Sequence, residues 1–208
     1  MFLSKRGRIV EKSRSENNDI IQVVLQINFV WRQFDVIIKM TQFNMKDFNK
    51  PNESFIVSGR IIPTFKNNVW KYTEEIFSEP YFKKYEDDEI DISYIQEEEK
   101  AVFFYYVENN CVGRIKLRSN WNGYALIEDI AVAKDYRKNG VGTALLNKAI
   151  EWAKENNFSG LMLETQDINV SACHFYAKNN FVIGAVDTML YSNFPTANEN
   201  AIFWYYKF

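Results

Sequence analysis

The stretch Tyr136-Arg137-Lys138-Asn139-Gly140-Val141-Gly142-Thr143 joins two glycines and a basic pair to the start of an amphipathic run. It follows a strand-like segment, 125–133, and opens a helix-like one, 141–156. A helix start of this kind leaves N–H groups without intrahelical partners and adds the positive end of the helix dipole. That geometry accepts a phosphate or pyrophosphate. Glycines alone serve a tight connection equally well; Arg137 and Lys138 beside them tip the reading toward an anion. A Walker A loop is excluded, because Gly142-Thr143-Ala144 carries no lysine. A dinucleotide fold wants three spaced glycines after an early strand, whereas Arg-x-x-Gly-x-Gly lies past the middle of this chain.

With Ile130-Ala131-Val132 before it and Ala144-Leu145-Leu146 after it, this turn resembles the pyrophosphate loop of the GNAT family of N-acetyltransferases. A second segment, Asn169-x-x-Ala172-x-x-Phe175-Tyr176 followed by Asn180-Phe181, resembles the same family's later signature. The resemblance implies acetyl-CoA as cosubstrate. The backbone of Ile130 and Val132 would hold the pantetheine arm, and Arg137, Lys138, Asn139, Gly140, Val141, Gly142 and Thr143 the pyrophosphate. Asn169 would touch the arm, and Tyr176 would protonate the departing thiolate. A phenol suits that task because it stays protonated at neutral pH. Lys138 and Asn180 stand where the family carries glycine.

Longer segments are similar to the streptothricin acetyltransferases. They include 124–132, 160–167, 187–194 and 201–208, with Ile61-Ile62-Pro63 and the region of Trp70. The implied activity is acetylation of an amino group of the antibiotic's β-lysine moiety, which confers resistance. Other acceptors are a polyamine, an aminoglycoside or a protein amino group, and a non-catalytic acyl-CoA-binding module is a further alternative. Any amine must lose a proton. Candidates to take it, or to hold the ammonium, are Glu128, Asp129 and Glu164. In regular geometry Glu128 and Asp129 point to opposite faces of one strand unless a bulge intervenes. His174 reads as a surface or packing residue. Tyr81, Trp121, Tyr124, Glu164 and Asp187 are candidate acceptor contacts, and direct transfer ranks above an acetyl-cysteine route through Cys173 or Cys111.

Composition narrows the classes. The 208 residues suffice for one well-filled core and are few for two. A net charge of −2 speaks against a nucleic-acid surface and suits a cationic small molecule. Two cysteines and one histidine cannot build a Cys/His metal cluster, and no metal is expected. The apolar-looking stretch 20–38 contains Gln22, Gln26, Asn28, Arg32, Gln33 and Asp35, too polar for a membrane span. A cytoplasmic protein with reduced thiols is expected; a homodimer is left open.

The elements that must position these residues form one mixed α/β domain over 40–208. Residues 1–39 carry seven Lys/Arg against four Asp/Glu and read as an N-terminal appendage, poorly ordered or outside the native start, with an amphipathic helix over 19–39 as one form. Strands are expected at 55–60, 101–107, 111–117, 124–132, 160–165, 181–191 and 201–208. Helices are expected at 141–156 and 170–179, and short ones at 70–77 and 81–85. Antiparallel strands followed by a βαβα section predict a mixed, mostly antiparallel sheet with helices on both faces. The resemblance adds a splayed strand pair. Acidic runs at 86–89 and 97–99 would border the acceptor cleft.

Overall fold

The computed structural model describes residues 35–208. Most of the 1–39 segment, including nearly all of the helix expected over 19–39, lies outside the described residues. Its last residues are strand rather than helix: β1 (Val36–Lys39) pairs antiparallel with β4 (Lys100–Val107), Val36 opposite Tyr106 and Lys39 opposite Phe103. The sheet therefore starts before Met40.

Seven strands form the main sheet. β5 (Asn110–Ser119) and β6 (Ala125–Val132) complete the expected antiparallel meander with β4. Then come the helix α2 (Val141–Glu155), β7 (Gly160–Gln166), α3 (Val170–Lys178), β8 (Val182–Asp187) and β9 (Ala201–Lys207). The order across the sheet is β1-β4-β5-β6-β7-β9-β8, with only β6 and β7 parallel.

β8 is shorter than the expected 181–191, because Asp187 Oδ1 accepts from the N–H groups of Met189 and Leu190 and turns the chain out of the sheet.

The larger departure lies upstream. Residues 70–77 and 81–85, expected as short helices, belong instead to β3 (Val69–Lys83) and the chain just after it. β3 pairs antiparallel with β2 (Phe55–Lys66) in a separate two-stranded sheet. The hairpin turns through Asn67 and Asn68, at φ 53° and 60°. Two left-handed central residues match the right-handed twist of the flanking strands, and asparagine tolerates that conformation.

Along β4 successive side chains divide between two apolar clusters. Ala101 and Phe103 join the larger one, with the α2 stripe Val141, Leu145, Leu146, Ala149, Trp152 and Ala153. Val102, Phe104 and Tyr106 join Met40, Phe48 and Cys111 on the opposite face, under the short helix α1 (Ser93–Gln96) and the turn of 45–47. Helices thus cover both faces. The α2 residues recur at three- and four-residue spacing, so the helix buries one continuous side, each large side chain contributing ~1.5–3 kcal/mol. Asn157, at φ 61°, supplies its left-handed stop.

Candidate active site

β6 and β7 run parallel for three residue pairs only, from Ala125–Leu161 to Ile127–Leu163. Beyond that point β6 continues to Val132 and β7 to Gln166 without pairing with each other. The sheet opens like a wedge there, and its edges keep backbone groups that a regular ladder would consume. A cleft of about 360 Å³ occupies the opening, lined among others by Ile130, Asp129, Glu164, Asn169 and Tyr176.

The phosphate turn stands at the same end of β6. Lys138 and Gly140 have φ of 65° and 89°. The first explains why the family favours glycine there, and the second places Gly140 as the left-handed N-cap of α2. Among the described residues, the backbone N–H groups of 138–143 donate to no protein acceptor; the ladder begins with Ala144 N–H to Gly140 O at 2.9 Å. A Cβ on Gly140 would meet nothing within 4 Å, whereas one on Gly142 would meet the Phe175 ring at 3.3 Å. Six free donors in succession at a helix head are the kind of arrangement that suits an anion.

Arg137 has a different role from the one its charge suggests. Its guanidinium donates to the carbonyls of Val132 (2.8 Å), Ser54 (2.8 Å) and Glu53 (3.0 Å). The side chain braces the turn, and of the basic pair Lys138 alone remains as an exposed cation. Asn139 is exposed beside it and makes one long contact, Nδ2 to Asp135 O at 3.4 Å. Val132 offers its carbonyl to Arg137 first, so Ile130 has the freer backbone. Thr143 is exposed and Val141 buried.

α3 starts as its sequence suggests. Asn169 caps it, Oδ1 accepting from Ala172 N–H at 3.2 Å, while Nδ2 reaches the Tyr85 hydroxyl at 3.4 Å. Two turns on, Tyr176 is 4% exposed, its ring packed against Phe175, Phe181 and Trp204. Its hydroxyl has no hydrogen-bond partner among the described residues and lines the cleft. Burial first, then the charges of Asp129 and other neighbours, push its pKa above the usual phenol value. The phenol is held neutral, ready to donate. Asn180, at φ 66°, fills the family's glycine position in the left-handed conformation that asparagine accepts.

A bulge brings two of the three carboxylates, Glu128 and Asp129, to the cleft, and β7 supplies Glu164. Lys116 pairs with Asp129 and Leu117 with Ile127, leaving Glu128 as the extra residue in β6. The alternation that would send Glu128 and Asp129 to opposite faces is thereby broken, and both line the cleft. Their surroundings differ. Both oxygens of Glu128 are engaged, Oε1 by Arg118 Nε at 2.8 Å and Oε2 by the Tyr94 hydroxyl. Asp129 Oδ2 takes Arg114 Nε at 2.6 Å; Arg114, 3% exposed, also donates to Phe48 O and stacks on the Phe48 ring. Glu164 accepts from the Tyr191 hydroxyl through Oε1. Burial is the main influence on Glu164 and raises its pKa, partly offset by Tyr191 and reinforced by the Glu199 charge. A carboxylate with a raised pKa and one unengaged oxygen has the character of a proton acceptor.

The structure places four expected acceptor contacts elsewhere. Trp121 is 93% exposed in the β5–β6 turn, and Tyr124 stacks edge-on against Tyr205 at 5.2 Å; both stand at the closed end of the β6–β7 pair. Asp187 is consumed by its turn, and Tyr81 sits opposite Val57 in the hairpin, outside the cleft lining. In their place the lining carries Tyr85, Tyr191 and the rim acids Glu86 and Asp88. Of the acidic runs, 86–89 reaches the cleft, whereas Glu97 and Glu99 bind Lys100 and Ser119. His174 meets Glu74 at 2.6 Å on the surface. Burial pushes the Cys173 thiol up to about 12 and the Cys111 thiol up to about 11, so neither is a ready nucleophile. Among the described residues no cluster of metal ligands occurs, and no helix is long and apolar enough to cross a membrane.

The description "Acetyltransferase (GNAT) family" matches residues 68–181. Streptothricin acetyltransferase A of Bacillus subtilis (strain 168) is 80% identical over 173 residues, 83% of this chain and 100% of the relative. Streptothricin acetyltransferase of Escherichia coli is 39% identical over 129 residues, 61% and 71% of the two chains. A crystal structure of a candidate streptothricin acetyltransferase from Bacillus anthracis, in complex with acetyl coenzyme A, superposes with a TM-score of 0.78 at 38% identity. It covers 85% of this chain and 99% of that one. Nourseothricin acetyltransferase shares the fold, with a TM-score of 0.71 at 24% identity over 83% of this chain and 98% of its own. A match spanning more than half the sequence, together with a relative aligned over its whole length, makes the assignment plain: the chain belongs to the acetyltransferase (GNAT) family.

Proposed function

We propose that this protein transfers the acetyl group of acetyl-CoA to an amino group of streptothricin, on its β-lysine moiety, and so confers resistance to the antibiotic. The observation that carries the reading is the wedge between β6 and β7, where an unpartnered buried phenol and three carboxylates line one cleft, while the free-donor turn follows β6 at its open end. Similarity to the streptothricin acetyltransferases supports the choice of acceptor. The N–H groups of 138–143 receive the pyrophosphate, with Lys138 adding charge, and the open edge of β6 around Ile130 receives the pantetheine arm beside Asn169.

The acceptor enters from the rim formed by Tyr85, Glu86, Asp88 and Tyr191. Its ammonium is held by Asp129, whose Arg114 partner keeps the carboxylate fixed, and gives its proton to Glu164. The neutral amine attacks the thioester carbonyl; the C–N bond forms, the C–S bond breaks, Tyr176 protonates the leaving sulfur, and the second proton shed by the nitrogen restores the phenol. Glu128, with both oxygens engaged, keeps the bulge in shape. The electrostatics of an acidic rim favour a polycationic acceptor over a neutral one.

Thiol release from acetyl-CoA is the test, run against streptothricin, spermidine, an aminoglycoside and lysine peptides. Streptothricin is expected to be preferred. A higher kcat/KM for any of the others would overturn the named acceptor, and tight acetyl-CoA binding with no acetylation would favour a non-catalytic module.

A further inference from the structure

Lys83, the last residue of β3, lies outside everything assigned so far. Its Nζ donates to Glu199 at 2.6 and 2.8 Å and to Gln166 Oε1 at 3.1 Å, and stands 5.7 Å from the centre of the Tyr85 ring. The pair is largely enclosed, with side-chain exposures of 16% and 10%. Three separate segments meet at this ammonium. One is the hairpin end leading to Tyr85. The second is the end of β7 at Gln166, whose Oε1 also accepts from the Tyr85 hydroxyl at 2.8 Å. The third is the 188–200 connection, which carries Tyr191 to Glu164 and ends at Glu199.

Both cleft tyrosines therefore hang from the same tie. Tyr85 lies two residues beyond Lys83, and Tyr191 lies on the connection that Glu199 anchors. The two-stranded β2–β3 sheet has no strand ladder to the main sheet, and the 188–200 connection contains no helix or strand. Further along β2, Ile61 N–H donates to Asp167 O at 2.9 Å and Arg60 Nη2 to Asn198 O at 3.3 Å, so at the hairpin end that carries Tyr85 the Lys83–Glu199 pair is the cross-link, and a charge-assisted one with two short contacts is the strong kind.

We propose that the Lys83–Glu199 pair is the positioning device of the acceptor wall: it fixes Tyr85 and, through the 188–200 connection, Tyr191 at the spacing the amine substrate requires. Lys83 and Glu199 are positioning residues, acting through the two tyrosines without touching substrate. The inference rests on the acceptor-cleft reading above. Opening the tie lets the wall spread while leaving the turn of 138–143, Ile130 and Tyr176 in place, so acceptor affinity suffers and acetyl-CoA affinity does not.

The experiment compares the parent with Lys83→Met, Glu199→Gln and the double variant, using whichever amine of the panel the parent acetylates best. Parent activity tests the functional reading; the variants test the tie. Lys83→Met is expected to raise the acceptor KM about tenfold, with the acetyl-CoA KM and kcat within about twofold of the parent. Glu199→Gln keeps the side-chain volume and should raise the same KM about fivefold; it carries the test if Lys83→Met does not fold. The double variant should be no worse than Lys83→Met, since both changes cut one tie, and Lys83→Arg should restore most of the acceptor affinity. A parental acceptor KM in the single variants would overturn the proposal. So would equal rises in both KM values, or a double variant showing the product of the single effects. A parent inactive on the whole panel would overturn the proposal together with the functional reading.

Discussion

Replacing Tyr176 by Phe separates chemistry from architecture unusually well in this site, because the hydroxyl contributes almost nothing to the fold. It accepts and donates no hydrogen bond among the described residues, so its removal leaves no protein group unpaired. The ring contacts survive, with centroids 5.2 Å from Phe175, 5.5 Å from Phe181 and 6.4 Å from Trp204. Stability should stay within about 1 kcal/mol of the parent. Turnover should fall ~10²–10⁴-fold, the usual contribution of a positioned general acid, which corresponds to roughly 2.7–5.5 kcal/mol of barrier. Thiol release at saturating substrates reads the loss, while urea midpoints and the acetyl-CoA KM serve as controls. A single-turnover experiment shows whether the acyl step is the one observed. An unchanged single-turnover rate would refute the assignment and return Tyr176 to the core. A fall in turnover matched by an equal loss of stability would refute the claim that the hydroxyl is structurally idle.

Four further outcomes are expected. Glu164→Gln should lower kcat, whereas Asp129→Asn should chiefly raise the acceptor KM; kcat and KM measured for each distinguish base from anchor. Because the Tyr191 hydrogen bond lowers a Glu164 pKa that burial raises, Tyr191→Phe should move the acid limb of the kcat/KM profile to higher pH; an unmoved or lowered limb contradicts it. Gly140→Val forces a β-branched residue to φ 89°, and Gly142→Leu drives a side chain into Phe175. Both should weaken acetyl-CoA binding by isothermal titration, about five- to 150-fold for a strain of ~1–3 kcal/mol. Burial raises the pKa values of Tyr85, Tyr94, Tyr106, Tyr176 and Tyr191. Above a pH of about 10, where unfolded phenols ionise, the folded chain retains protons that the unfolded chain has lost, so stability falls as pH rises. Urea midpoints at pH 8 and 10.5 check this, and equal midpoints would contradict it.

The glycine turn and the Asn169-capped helix were legible because their signals are local. Two glycines, a helix start and an Asn-capped helix are written in short contiguous stretches, and α2 repeats its apolar residues over four turns. The acceptor half was not, because distant segments make it. Tyr85, Arg114 and Tyr191 arrive from three different parts of the chain, and no spacing among them announces a common cleft. β3 was misread for a definite reason: Val69, Tyr72 and Ile76 recur at three- and four-residue intervals, while Glu74 and Glu75 interrupt the alternation. Asn67-Asn68 between two β-rich runs was the signal that could have corrected it. The bulge at Glu128 was legible only as a condition, since register belongs to the partner strand. Arg137 misled by its charge, which three backbone carbonyls absorb.

The interrupted pairing of β6 with β7 has a consequence for what the protein can stick to. Unsatisfied strand edges usually lie on the outside of a sheet, where a second polypeptide can add to them and start aggregation. Here hydrogen-bonding capacity of the same kind lies mid-sheet, between strands held together at one end by the three pairs from Ala125–Leu161 to Ile127–Leu163. The gap narrows toward that closed end, and the head of α2, with Gly142 against Phe175, stands beside its open end. Both strands are already paired on their other sides, β6 with β5 and β7 with β9, so this capacity is reached only through the open end. It is an edge shielded by its own sheet, unlike the outer edges at β1 and β8.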